Sequence, residues 1–141
     1  MYSLMKRVLK CLLPCVLFVL MMNCALAEEV PDLDLSACNR SITYAQMMQV
    51  CNAPAEYDGK LIRLKGQFNY SEKQQVGRII VVDVSGCCET ALDFYPAGTL
   101  SYPEEYPPLY SQILLTGRLT VDAQAPENRC YFTDAVIEWE K

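Results

Sequence analysis

The chain has no histidine among its 141 residues. That absence removes Ser-His and Cys-His nucleophile pairs, histidine general bases and histidine-ligated zinc, so any metal site must use thiolate or oxygen donors. There is no Cys-x-x-Cys motif either, which leaves a thioredoxin-like redox centre without its residues. Long apolar runs are scarce. Cys11–Met22 holds 12 uncharged residues before Asn23, short of the about 20 that a membrane span needs.

What surrounds that run gives it a different meaning. Lys6, Arg7 and Lys10 precede it, and Ala25-Leu26-Ala27 follows, directly ahead of Glu28-Glu29. A basic region, an apolar region and an A-x-A site in that order predict a secretory signal peptide over residues 1–27, cleaved after Ala27. The expected location is exported: periplasmic, cell-envelope or extracellular, with membrane contact only through the signal segment before cleavage. Losing those three bases from 12, against 17 acids, leaves residues 28–141 with a net charge of −8. Nucleic-acid affinity rests on lysine and arginine displacing counterions, so general nucleic-acid binding is not expected. The 114 residues fit one domain.

Residues 28–40 are polar, acidic and without a clear period, and read as a flexible leader to a domain over residues 41–141. Thr43-Tyr44-Ala45-Gln46 has the form of a capping box. Tyr44, Met47, Met48 and Cys51 then fall on one helical face, and Pro54 ends the helix near Asn52. Beyond Asp58-Gly59 the period becomes two. Strands are expected over Lys60–Tyr70, Arg78–Val84, Ala91–Tyr95, Gln112–Val121 and Cys130–Trp139. The second, a near-continuous apolar run, suits a strand covered on both faces. Gly66 and Gly117 sit mid-strand on the apolar faces of the first and fourth, where glycine marks a bulge or bend. The fold class that follows is mainly β: an OB-like five-stranded barrel with one short N-terminal helix. Pro96, Pro103, Pro107 and Pro108 forbid a long helix between the third and fourth strands, so an extended crossing is expected there.

The motifs themselves resemble a known group. Thr43-Tyr44-Ala45, Tyr57-Asp58-Gly59-Lys60, Gly86-Cys87-Cys88 leading into Leu92-Asp93-Phe94, and Tyr102-Pro103-Glu104-Glu105-Tyr106-Pro107 are similar to an uncharacterised family of exported bacterial OB-like domains. The resemblance implies the fold and a cell-envelope location and carries no activity. Relatives can hold a cysteine in the second strand, where this chain has Ile79-Ile80-Val81-Val82.

The candidate chemistry lies in cysteines and tyrosines. After residue 27 the cysteines are Cys38, Cys51, Cys87, Cys88 and Cys130. In an oxidising compartment the default is a disulfide with spare thiols; the alternative is a thiolate site for a soft metal, Zn or Cu. In an OB barrel the third and fifth strands run parallel, which would bring Cys130 beside Cys87 or Cys88 for a bridge, with Cys88 preferred. Cys51 reads as packing. Tyr95, Tyr102, Tyr106 and Tyr110 are candidates for a ligand surface, or else cover an open barrel end. Glu89, Asp93, Glu104 and Glu105 are the weakest candidates, as paired carboxylates. No nucleophile–base pair can be assembled, so the expectation is not an enzyme. It is a non-catalytic binding or interaction module for a protein or small-molecule ligand, with thiolate-based soft-metal binding as the alternative.

Overall fold

The computed structural model describes residues 29–125 and 129–140; the expected signal segment lies outside them. Strands form where apolar residues alternate with polar ones. β2 (Leu61–Ser71) buries Ile62, Leu64 and Phe68 and exposes Lys65. β5 (Gln112–Val121) buries Ile113, Leu115 and Leu119 on the same period. β3 (Val76–Val82) is covered on both faces, with Ile79, Ile80 and Val81 all buried. It stops two residues short of Val84, because the chain turns at Asp83 and leaves Val84 exposed. β4 (Glu89–Pro96) turns Leu92 and Phe94 inward, and β6 (Cys130–Glu138) contributes Phe132 and Ala135.

These five strands pair in the order β2-β3-β4-β6-β5, and β2 also pairs with β5, which closes the barrel. β4 and β6 run parallel, with Phe94 opposite Phe132. This is the expected OB-like order. Both mid-strand glycines have structural causes. A Cβ on Gly66 would stand 2.6 Å from Ile79 Cγ1 and 2.8 Å from the Ile80 carbonyl oxygen, so β3 approaches too closely for any side chain there. Gly117 lies within the register shift between β5 and β6.

Part of the presumed leader is docked on the barrel, which corrects its reading as flexible over residues 28–40. β1 (Leu33–Asp34) pairs in parallel with β2, Leu33 opposite Ile62 and Asp34 opposite Arg63. Asp32 Oδ2 accepts from the Leu61 amide at 2.8 Å, the Leu35 amide donates to the Arg63 carbonyl at 2.7 Å, and Leu35 is buried. The Asp-Leu-Asp-Leu alternation carried a strand signal that its acidity obscured.

α1 (Arg40–Asn52) is capped by Asn39, whose side chain accepts from the Ile42 amide at 3.0 Å. The expected capping box on Thr43 is therefore displaced. Thr43 lies within the first turn, buried, and its hydroxyl donates to the Asn39 carbonyl at 3.1 Å. An asparagine cap satisfies the amide donors just as a threonine would, and the buried face differs from the expected one. Thr43, Met47 and Val50 face the core, while Tyr44, Met48 and Cys51 lie along its margins. A 3₁₀ turn at Pro54–Glu56 ends the helix as expected.

No helix occurs between Pro96 and Gln112. In that crossing the Tyr102–Pro103 peptide is cis. Tyr102 stacks flat on Tyr70, centroids 3.8 Å apart and planes 4° from parallel. Tyr106 stacks on Phe68 at 5.6 Å and meets Tyr102 edge-on at 5.9 Å. In β3 the register runs from Gly77, opposite Tyr70, to Val82, beside the loop that α1 approaches. The tyrosine cluster and α1 therefore lie toward opposite ends of that strand.

Candidate functional site

The β3–β4 connection is a short loop closed by the Asp83 amide donating to the Cys88 carbonyl at 2.9 Å. Asp83 organises its interior. Its Oδ2 accepts from the Ser85 hydroxyl at 2.6 Å, and its Oδ1 accepts from the Cys88 amide at 3.3 Å. Gly86 adopts φ +74°, a left-handed turn that glycine enters without steric cost. Adjacent cysteines in an extended strand would point to opposite faces. In this turn both sulfurs lie on one side, 3.5 Å apart, with Cys87 Sγ 3.8 Å from Asp83 Oδ2 and 3.0 Å from Ser85 Oγ. Asp83, Cys87 and Cys88 thus place three donor atoms within 4.8 Å of one another. Both cysteines are exposed.

The electrostatics reflect this crowding. Hydrogen bonds from Ser85, then from the loop amides, hold the Asp83 carboxyl below its ordinary value. The neighbouring Cys87 pushes the Cys88 thiol up, by hydrogen bonding and then by charge. Tyr44 of α1 faces the same loop. Its phenol is raised by desolvation first, then by negative charge on Cys88, Asp83 and Cys87. A groove of about 570 Å³, lined by Cys38, Arg40, Thr43, Lys65, Gly86 and Glu89, runs beside the loop.

Cys130 is elsewhere. No disulfide joins it to Cys87 or Cys88; Cys38, Cys51, Cys87, Cys88 and Cys130 are all free thiols. The register explains the correction. With Phe132 opposite Phe94 in a parallel pair, Cys130 falls level with Leu92, four residues or roughly 13 Å along the strand from Cys88. The topology was right, but parallel strands that start at one end need not start at one level. The thiol that interacts with Cys130 is Cys51, from the last turn of α1. Thr90 Oγ1 lies 3.4 Å from Cys51 Sγ. Both cysteines are half-buried against the core rather than simply packed within it. The hydrogen bond from Cys130 brings the Cys51 thiol down to about 6, and the same bond, with burial, drives Cys130 up.

The four tyrosines do not share one setting. Tyr102 and Tyr106 are part of the aromatic cluster against Phe68 and Tyr70. Tyr95 meets Tyr131 edge-on at 5.4 Å and is half exposed. Tyr110 is exposed, with its amide donating to the Phe68 carbonyl at 2.7 Å. The carboxylates are dispersed in role as well. Asp93 is buried between the guanidinium groups of Arg78, at 2.8 Å, and Arg129. Glu105 accepts from the Ser101 amide at 2.8 Å.

Two members of these clusters escaped the sequence reading. Asp83 carried a signal, since Asp-x-Ser-Gly ahead of Cys-Cys is turn chemistry that points a carboxylate back at the following residues. Tyr44 carried none, because its position depends on where α1 docks. The chain matches no protein-family model and no curated protein.

Proposed function

We propose that the protein is an exported, non-catalytic binding module whose ligand is a thiophilic metal ion, Zn(II) or Cu(I), held by Asp83, Cys87 and Cys88. One observation carries the reading, the spacing of the donors. Two thiolates at about 2.3 Å from a tetrahedral metal stand about 3.8 Å apart, and a thiolate and a carboxylate oxygen about 3.5 Å. The separations here are 3.5 Å between sulfurs and 3.8 Å from Cys87 Sγ to Asp83 Oδ2. A linear two-thiolate site would hold its sulfurs roughly 4.6 Å apart with the same bond length, so a three- or four-coordinate ion fits better. The exposed loop leaves a further position for water or for a donor from another molecule. The absence of histidine is consistent with a soft, sulfur-weighted donor set.

The test is a titration of the full-length chain, recovered after export and fully reduced, with Zn(II) against a chromophoric chelator. One equivalent should bind with release of protons from the thiols. The Cys87→Ser/Cys88→Ser double variant should lose that equivalent, while Cys51→Ser and Cys130→Ser should retain it. Unchanged affinity in the double variant would exclude this loop as the site.

A further inference from the structure

We propose that Cys51 and Cys130 form a redox pair that closes to a disulfide, joining the last turn of α1 to the first residue of β6. The two thiols approach from different elements, 79 positions apart in sequence: Cys51 Sγ lies 3.4 Å from Thr90 Oγ1 of β4, and the parallel register sets Cys130 level with Leu92, two residues along β4 and on the same face as Thr90. Neither is fully enclosed, so a small disulfide donor can reach them. Both rest on the edge of the core, so the contact is held by packing on either side rather than by two mobile loops.

The pair is also differentiated. Thr90 Oγ1 lies 3.4 Å from Cys51 Sγ, and the Cys130 and Thr90 side chains together favour the Cys51 thiolate. Thiolate, not thiol, is the nucleophile in exchange. Cys51 is therefore the attacking sulfur and Cys130 the resolving one. Cys51 thiolate attacks one sulfur of an external disulfide, R–S–S–R, forming a mixed disulfide and expelling one RS⁻. Cys130, giving up its proton, then attacks Cys51 Sγ and expels the second RS⁻. Two thiols of the protein are oxidised, one external disulfide is reduced, and two thiols are released. The donor class is a low-molecular-weight or protein disulfide, as an oxidising compartment supplies.

This pairing is independent of the metal reading, because it uses neither Cys87 nor Cys88. It also leaves an intelligible count. Cys51 with Cys130 and Cys87 with Cys88 account for four thiols, and Cys38 is the odd one.

The experiment treats the reduced full-length protein with oxidised glutathione, alkylates the remaining thiols under denaturing conditions and maps the peptides without reduction. The expected result is a cross-linked peptide pair containing Cys51 and Cys130, lighter by two hydrogens than the sum of its halves. Cys38 should remain alkylated. In Cys130→Ser, Cys51 should stop at a stable glutathione adduct, formed faster than the Cys130 adduct in Cys51→Ser, which identifies Cys51 as the attacking sulfur. Recovery of Cys51 and Cys130 both alkylated after saturating oxidation would overturn the proposal. So would a linkage of Cys130 to Cys38, Cys87 or Cys88. The wild-type map decides the pairing even if a serine variant does not fold.

Discussion

The two ends of the barrel are built from different materials. At one, Tyr102 and Tyr106 lie on Tyr70 and Phe68, carried by a crossing stiffened with Pro103, Pro107 and Pro108. At the other, a turn and a helix present Asp83, Cys87 and Cys88 on one side and Cys51 with Cys130 on another. The first end uses aromatic area to exclude water. The second keeps polarizable sulfur within reach of solvent. A chain needs both ends of a barrel stoppered, but aromatic rings do this without reactive groups, so thiols concentrated at one end point to chemistry there.

The comparison can be broken in order of effect on stability. The largest effect should come from the thiol end once Cys51 and Cys130 are joined. Closing a loop of this length restricts the unfolded chain by roughly 4 kcal/mol, so guanidinium unfolding of oxidised and reduced protein should show widely separated midpoints. Equal midpoints would mean the bond forms under strain or not at all. Next comes the tyrosine end. Tyr106→Ala removes a ring stacked on Phe68 and edged by Tyr70 and Tyr102, and should cost about 2–3 kcal/mol. Thermal melts would register that loss while zinc stoichiometry stays the same. A change in stoichiometry would mean the two ends are not separable.

The β3–β4 loop should be nearly silent by the same measure. Cys87→Ser/Cys88→Ser alters exposed side chains and should change stability by no more than about 0.5 kcal/mol, so that its loss of metal cannot be blamed on unfolding. The smallest structural disturbance is a change of pH. With the Cys51 thiol near 6, its thiolate fraction rises as pH increases through that value and is nearly complete by neutrality. Iodoacetamide should therefore label Cys51 at a rate that climbs between about pH 5 and 7 and then levels. Cys130→Ala removes the donor and should shift that climb upward. A profile still climbing beyond pH 8 in the wild type would break the proposed asymmetry.

Sequence patterns reached the barrel because period-two alternation in Lys60–Tyr70 and Gln112–Val121 reports burial directly, and because glycines at 66 and 117 mark places where strands crowd or shift. They also anticipated the helix-free crossing, since proline chemistry is local. The site was harder to read. Strand order predicted that Cys130 would start at the same end as Cys88, but the level at which parallel strands pair is set by packing of Phe94 against its neighbours and leaves no mark in composition. Cys51 was visible as a helical residue, while its partner depended on how far α1 is rotated. That rotation is set by how Thr43, Met47 and Val50 pack on the core, which the sequence pattern alone does not fix. Asp83 carried a legible signal in the Asp-x-Ser-Gly turn it makes, but it was not among the expected site residues.

The two-residue strand β1 has a consequence for association. β3 pairs with only Gln67–Ser71 of β2, whereas β5 pairs with Leu61–Gln67. Along the first half of β2, the side away from β5 is occupied by Leu33 and Asp34, which sit opposite Ile62 and Arg63. A chain trimmed past Asp34 would leave those backbone amides and carbonyls as an open edge beside a buried apolar stripe. Such an edge is a template for a strand from another molecule. The acidic segment ahead of the helix thus covers that edge, and its loss would open β2 to pairing with one strand of another molecule.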